Sequence, residues 1–404
     1  MVRVYNADEH STERFATMKP TTTARILADL IALDTTSRNS NMALIDYARS
    51  ILDDRGVKSE LTFDAGRTKA NLFATLGGDV DKPGIVLSGH TDVVPVDGQA
   101  WRTDPFAAEV IGDKLYGRGS CDMKGFIAVC LAHIDAIINA KLATPIHFAF
   151  SYDEEVGCVG VAGLIDELIK REVQPRACII GEPTSMGVVR AHKGMLSKRC
   201  RVRGKASHSS LTHQGVNAVA MAARAIAYID SMAERIAREG PFEHGFEPPH
   251  TTVHAGVIHG GTVNNIIPHT CEFEFEIRNL PAHSPLPLFE EVARYVEENL
   301  IPKMHAVSAD TGFDWETSSD YPGMNTAADD AVIALAADLL GAAGIEPGKV
   351  SYGTEGGRFQ TAGIPTVICG PGSIEQAHRP NEYVELSQLA AGEKFISDLI
   401  ASLR

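Results

Sequence analysis

Four short apolar runs constrain this chain most, because each ends on metal-binding residue types or on a glycine loop. Residues 84–89, GIVLSG, stop at His90-Thr91-Asp92. Residues 145–151, PIHFAFS, run into Asp153-Glu154-Glu155. Residues 176–181, RACIIG, stop at Glu182, and residues 364–369, IPTVIC, stop at Gly370-Pro371-Gly372, six residues before His378. Runs this short and apolar, with helical stretches between them, are expected to be parallel strands buried on both faces. In open α/β sheets ligands bind beyond the carboxyl ends of the strands. Three separated strands would therefore deliver carboxylates and an imidazole to one rim, the donor set of a hard or borderline divalent cation.

At 404 residues the chain exceeds one ordinary core, and two domains are expected. Helical periodicity covers residues 21–33 and 42–55, the second stopped by Gly56. Residues 124–140 and 160–171 read as helices following motif loops. After Glu182 the pattern changes. Residues 195–205 alternate polar and apolar, 216–238 read as a helix, 251–258 and 270–278 as strands, 285–300 as a helix and 305–315 as a strand. That order, β-α-β-β-α-β, is the split arrangement of a small antiparallel sheet with two helices. From residue 327 the α/β pattern resumes. The expected fold class is thus an α/β catalytic domain, residues 1–189 and 322–404, interrupted by an inserted α+β, ferredoxin-like domain, residues 190–321. Residues 1–20 are polar and aperiodic and read as a loose arm.

The net charge of −15 argues against nucleic acid or an anionic membrane as partner. The basic stretch KRCRVRGK, residues 198–205, reads as the outer face of a strand. The longest near-apolar stretch, residues 126–138, is interrupted by His133 and Asp135 and is too short to span a bilayer. No apolar signal-peptide core stands in the first residues, and the seven cysteines include no CxxC pair. Reduced thiols and a cytoplasmic location are expected.

Each motif has an ordinary reading beside the chemical one. In SGHTDVVP, residues 88–95, His90 could bind a metal while Asp92 holds the other ring nitrogen, or the pair could be a turn and a helix cap. In YGRGSCDMKG, residues 116–125, Asp122 sits among glycines that would otherwise only cap the next helix. SYDEEVGCVG, residues 151–160, sets Glu154 beside Glu155. Adjacent side chains diverge, which suits one to a metal and one to water, or both to a solvated turn. Glu182 adds a strand-end acid, and His378 a late imidazole in a proline-containing loop. Together His90, Asp122, Glu155, Glu182 and His378 form about the inventory that two metals sharing one carboxylate need. Paired ions of this kind, ~3.5–4 Å apart, make hydroxide from water near neutral pH. HExxH and GxSxG are absent, which disfavours zincin and serine-hydrolase chemistry.

From about residue 84 to 385 the chain resembles the dinuclear zinc deacylases and exopeptidases, most closely their acetylornithine deacetylases. The most specific stretches are PPHTTVHAGVIHGGTVNNIIP (248–268) and SYGTEGGRFQTAGIPTVICGPGSIEQAHRPNEYVEL (351–386). The resemblance implies a zinc-exopeptidase-like catalytic domain whose inserted domain is a lid and dimerisation module of a homodimer. It implies two Zn2+, with Co2+ as a substitute. One ion would be held by His90, Asp122 and Glu182, the other by Asp122, Glu155 and His378, with Asp122 bridging. It casts Asp92 as the acid behind His90, Glu154 as general base and His208 as a lid histidine serving the neighbouring subunit. Asn265 and Arg278 become substrate contacts, and the Asp122–Met123 peptide is expected to be cis. The implied reaction is hydrolysis of an N-acyl amino acid, N2-acetyl-L-ornithine first, with acetylcitrulline or succinyl-diaminopimelate as alternatives. A metal-binding relative without catalysis would not need Glu154 or His208.

Overall fold

A computed structural model describes residues 3–5 and 21–404, apart from 81, 171 and 174. The chain forms two compact units, residues 1–191, 326–348 and 354–404 in one, residues 192–325 and 349–353 in the other. The arm expected over residues 1–20 lies outside the described residues, except that Arg3–Tyr5 pairs in parallel with Glu109–Ile111. Among the described residues no helix is long and apolar enough to cross a membrane.

In the first unit six strands lie side by side in the order Thr366–Ile368, Ala177–Ile180, Ile85–His90, Ile146–Ser151, Ala70–Leu76 and Ser59–Phe63. The four expected strands are mutually parallel and buried throughout. The last two pair antiparallel, so the sheet is mixed. Register levels the carboxyl ends. Ile368 stands opposite Ile180, Ser88 opposite Ile180, and His90 opposite Ser151. The segments carrying Glu154-Glu155, Glu182 and His378 therefore leave the rim on which His90 sits.

The helix Lys124–Ala132 is buried from Lys124 to Leu131, in keeping with its almost unbroken apolar sequence. The expected helix over 124–140 breaks at His133 and restarts as Ile134–Asn139. Lys124 is fully buried, and its Nζ donates to the Leu30 and Leu33 carbonyls, 3.0 and 2.8 Å away, at the end of the helix Thr22–Ile31. A cation suits the negative end of a helix. Burial still pushes the Lys124 ammonium down to about 7. Close backbone approach at the rim demands glycine. A Cβ on Gly181 would lie 2.0 Å from Phe126, and one on Gly370 would lie 2.0 Å from the Gly181 carbonyl oxygen.

The second unit is a four-stranded antiparallel sheet ordered Thr252–Gly260, Thr270–Asn279, Gly194–Arg203, Gly312–Tyr321, with the helices Ala218–Glu239 and Leu286–Tyr295. Along Thr270–Asn279 the buried residues alternate with partly exposed ones, as period 2 requires. Phe273, Phe275 and Ile277 meet Ala222, Ala225 and Ile229 in its core. Trp315 packs edge-on against Phe273, Phe275 and Phe289. One expectation is corrected here. Residues 305–315 are not a strand from the start: Ile301–His305 extends the helical run, His305 Nε2 lies 3.1 Å from the Thr311 carbonyl, and the strand begins at Gly312.

Candidate metal centre and active site

His90 ends its strand fully enclosed, and its two nitrogens have different neighbours. Nδ1 lies 2.9 Å from the Asp92 carbonyl oxygen, which can only accept. Nδ1 therefore carries a proton, and Nε2 faces Asp122 Oδ1 at 2.9 Å and Glu182 Oε1 at 3.5 Å. On the other side, His378 Nε2 lies 3.4 Å from Asp122 Oδ2 and 3.0 Å from Glu155 Oε2. Each oxygen of Asp122 thus faces a different histidine. The Asp122–Met123 peptide is cis.

Asp92 differs from its expected role. It meets the His90 ring through its main-chain carbonyl, whereas its carboxylate is 3.7 Å from Nδ1. That carboxylate instead accepts from Ser37 Oγ at 2.7 Å and from the amides of Glu154 and Glu155 at 3.1 and 3.3 Å. Two residues after His90 in the chain, Asp92 reaches the imidazole with its backbone and leaves its side chain to pin the paired glutamates. Glu154 Oε1 accepts from the Cys158 thiol at 3.3 Å.

Carboxylates outnumber imidazoles here, and burial together with their mutual repulsion shifts their ionisation. Burial pushes Glu154 up to about 8 and Glu155 up to about 7, with neighbouring acids adding to the rise. Burial, then the Asp122 charge, pushes Glu182 well up. Burial also disfavours ionised Asp122, yet hydrogen bonds from His378 and His90 hold it below the usual range. Those to Asp122 and Glu155 lift His378 to about 11. Burial opposes the His90 cation, but Asp122, Glu182 and Glu154 raise it well above normal.

Such crowding is relieved either by protons on the carboxyl groups or by added positive charge. Ligand atoms of His90, Glu154 and Glu182, and of His90, Asp122 and Glu155, lie within 4.8 Å of one another. Donors ~2.0–2.2 Å from a tetrahedral ion sit roughly 3.3–3.6 Å apart. The 3.5, 3.4 and 3.0 Å separations given above are of that order. Glu155 Oε1 is buried without a hydrogen-bond partner among the described residues, as an oxygen reserved for a cation would be. The residues present fit one or more divalent metal ions.

Three candidate residues lie in the other unit. His208 is exposed, its Nδ1 2.7 Å from Ser210 Oγ, and it pairs across a bridge with Ile266, beside exposed Asn265. Arg278 is partly buried, and its guanidinium is taken up by Glu276, at 2.8 Å from Nε and 3.3 Å from Nη2. A substrate carboxylate would compete with Glu276 for that fork.

Two buried acids escaped the sequence reading. Glu355 accepts from the hydroxyls of Ser88 and Ser151, the latter at 2.7 Å, tying neighbouring strands just below the rim. Glu382 accepts from Arg118 and from three main-chain amides of the Asp122 loop. A charged residue inside an otherwise glycine- or proline-rich motif was the available signal.

The chain is similar to known proteins over most of its length. The chain is 37% identical to the acetylornithine deacetylase of Myxococcus xanthus over 383 residues, 93% of this chain and 96% of that one. It is 34% identical to that of Pectobacterium atrosepticum, over 91% of this chain and 93% of the relative. Its fold matches an M20-family metallo-carboxypeptidase from Sulfolobus solfataricus with a TM-score of 0.76 at 17% identity, covering 94% and 99% of the two chains. Human carnosine dipeptidase 1 matches with a TM-score of 0.71 at 18% identity, covering 94% and 96%. The profile of peptidase family M20/M25/M40 matches residues 86–402, and the chain belongs to that family.

Proposed function

We propose that this chain is a metal-dependent amidohydrolase that converts N2-acetyl-L-ornithine to L-ornithine and acetate, a step of arginine biosynthesis. The observation that carries the reading is Asp122 set between His90 and His378 with Glu154 beside them. The two acetylornithine deacetylase relatives support the substrate. His90, Asp122 and Glu182 would hold one Zn2+, and Asp122, Glu155 and His378 a second, with Co2+ able to replace either. Bound there, the metals supply Lewis acidity to water and to the amide carbonyl.

The chain's own groups move the proton. Glu154 takes it from water as the new C–O bond forms, then delivers it to the amide nitrogen as the C–N bond breaks, leaving acetate and a free amine. Asp92 fixes the backbone of Glu154 and Glu155, and the Cys158 thiol orients Glu154 Oε1. Arg278 pairs with the substrate α-carboxylate, and Asn265 assists.

Amine release measured with ninhydrin across N-acyl amino acids, with and without added zinc or cobalt, tests the activity. Acetylornithine should show the highest kcat/KM, and only with metal. Preference for acetylcitrulline or succinyl-diaminopimelate would replace the substrate. No release from any compound would end the enzymatic reading.

We further propose a catalytic domain of residues 1–189 and 322–404 and a lid and dimerisation domain of residues 190–321. In the homodimer, His208 of one subunit stabilises the oxyanion in the other on closure. Mixing inactive Glu154→Gln subunits with inactive His208→Ala subunits should restore part of the activity, because one site then has both groups. No recovery after proven subunit exchange would place His208 outside the neighbouring site.

A further inference from the structure

The loop carrying Asp122 and the loop carrying His378 are far apart in sequence, yet one side chain serves both. Tyr383–Glu385 pairs antiparallel with Lys114–Tyr116, and the Gly117 amide extends that ladder by donating to the Glu382 carbonyl at 3.0 Å. This fixes Glu382 four residues after His378 and directly against the glycine loop. Its carboxylate is fully buried. Oε1 accepts from the amides of Cys121 at 2.9 Å and Asp122 at 3.0 Å. Oε2 accepts from the Gly119 amide at 3.0 Å and Arg118 Nη1 at 2.8 Å.

Arg118, 1% exposed, carries the linkage onward. Its Nη1 also reaches the Arg379 carbonyl at 3.3 Å, and its Nη2 donates to Gln99 Oε1 at 2.6 Å. Gln99 Nε2 in turn donates to the His378 carbonyl at 3.0 Å. Asn381 Oδ1 accepts from the Arg102 amide at 2.7 Å, so the His378 loop is held from two sides. A buried carboxylate with four donors is a rigid anchor, because each donor would be costly to leave unpaired. Carboxylates commonly orient ligand side chains directly; here the anchor grips the ligand's own backbone.

We infer that Glu382 is a positioning residue for metal binding. It sets the backbone of the Asp122 loop directly and, through Arg118 and Gln99, that of the His378 loop, so that the two are held as one piece. The inference rests on the metal-centre reading proposed above. Groups that orient metal ligands typically govern 10–100-fold in affinity. Glu382→Gln keeps the shape but replaces one acceptor oxygen with an NH2 that faces donors. It should therefore weaken both Co2+ binding steps about 10–100-fold and change the visible Co2+ absorption spectrum.

The experiment titrates Co2+ into metal-free wild type, Glu382→Gln and Leu52→Ala, following absorbance and calorimetric heat, with urea midpoints measured in parallel. Leu52 is fully buried in the helix Met42–Asp53 and serves as a control for destabilisation alone. Weakened binding and an altered spectrum in Glu382→Gln, beside wild-type binding in Leu52→Ala, support the inference. Wild-type binding and spectrum in Glu382→Gln overturn it, as does an equal loss in Leu52→Ala. Should Glu382→Gln fail to fold, Glu382→Asp retains the charge facing Arg118 but falls one methylene short of the loop amides. Weakened binding there supports the inference, and wild-type binding overturns it. Wild type that binds no Co2+ would sink the metal-centre reading itself, a separate result.

Discussion

Glu154→Gln should keep its metal and lose turnover by about 10²–10⁴-fold, the usual worth of a general base. Glutamine preserves the volume of the side chain and can still accept from the Cys158 thiol, which lies 3.3 Å from Oε1. It cannot take a proton. Glu155→Gln should behave in the opposite way. Its Oε2 faces His378 at 3.0 Å and its Oε1 is buried without a hydrogen-bond partner among the described residues, so the substitution weakens metal binding first. Measuring kcat with zinc in excess, together with metal content by atomic absorption, separates the two. A metal-poor Glu154→Gln with a metal-replete, slow Glu155→Gln would mean that the two roles are exchanged.

Asp122→Ala should abolish activity and strip metal from the whole centre, whereas His90→Ala should empty chiefly one position. The asymmetry follows from geometry. Asp122 offers one oxygen to the His90 side and the other to the His378 side, while each histidine faces only one. Removing Asp122 also leaves the two imidazoles without the carboxylate that both hydrogen-bond. Metal stoichiometry after dialysis against chelator-treated buffer decides the point. Two ions per chain retained in Asp122→Ala would refute the bridging arrangement.

Much of the rim was legible because a buried strand advertises its own end. The apolar runs before His90, Glu154 and Glu182 stop where their strands stop, and parallel register then sets those ends level. The antiparallel strands Ser59–Phe63 and Ala70–Leu76 were not among the expected elements, although Asp64 and Gly77-Gly78 follow them. Residues 305–315 misled because a helix end and a following strand share apolar residues; only Gly312 marks the change. Glu355 and Glu382 illustrate a deeper limit. A single acid in a loop has no period, and its role is defined by hydroxyls and amides that lie 204 to 267 positions away. Asp92 was found by its position beside His90, but which of its atoms does the work depends on where the backbone turns.

The separation of Glu382 from the loop it anchors also has a meaning for biosynthesis. Cys121 and Glu382 are 261 positions apart. At the usual 5–20 residues per second a ribosome needs roughly 13–50 s to make the stretch between them. For most of that interval Asp122, Glu155 and Glu182 have been made but lack His378 and the carboxylate that fastens the glycine loop. If the metal centre is as proposed, the nascent chain passes through a long period in which the ligands are incomplete, and metal loading would be a late event that marks the arrival of its distant segment.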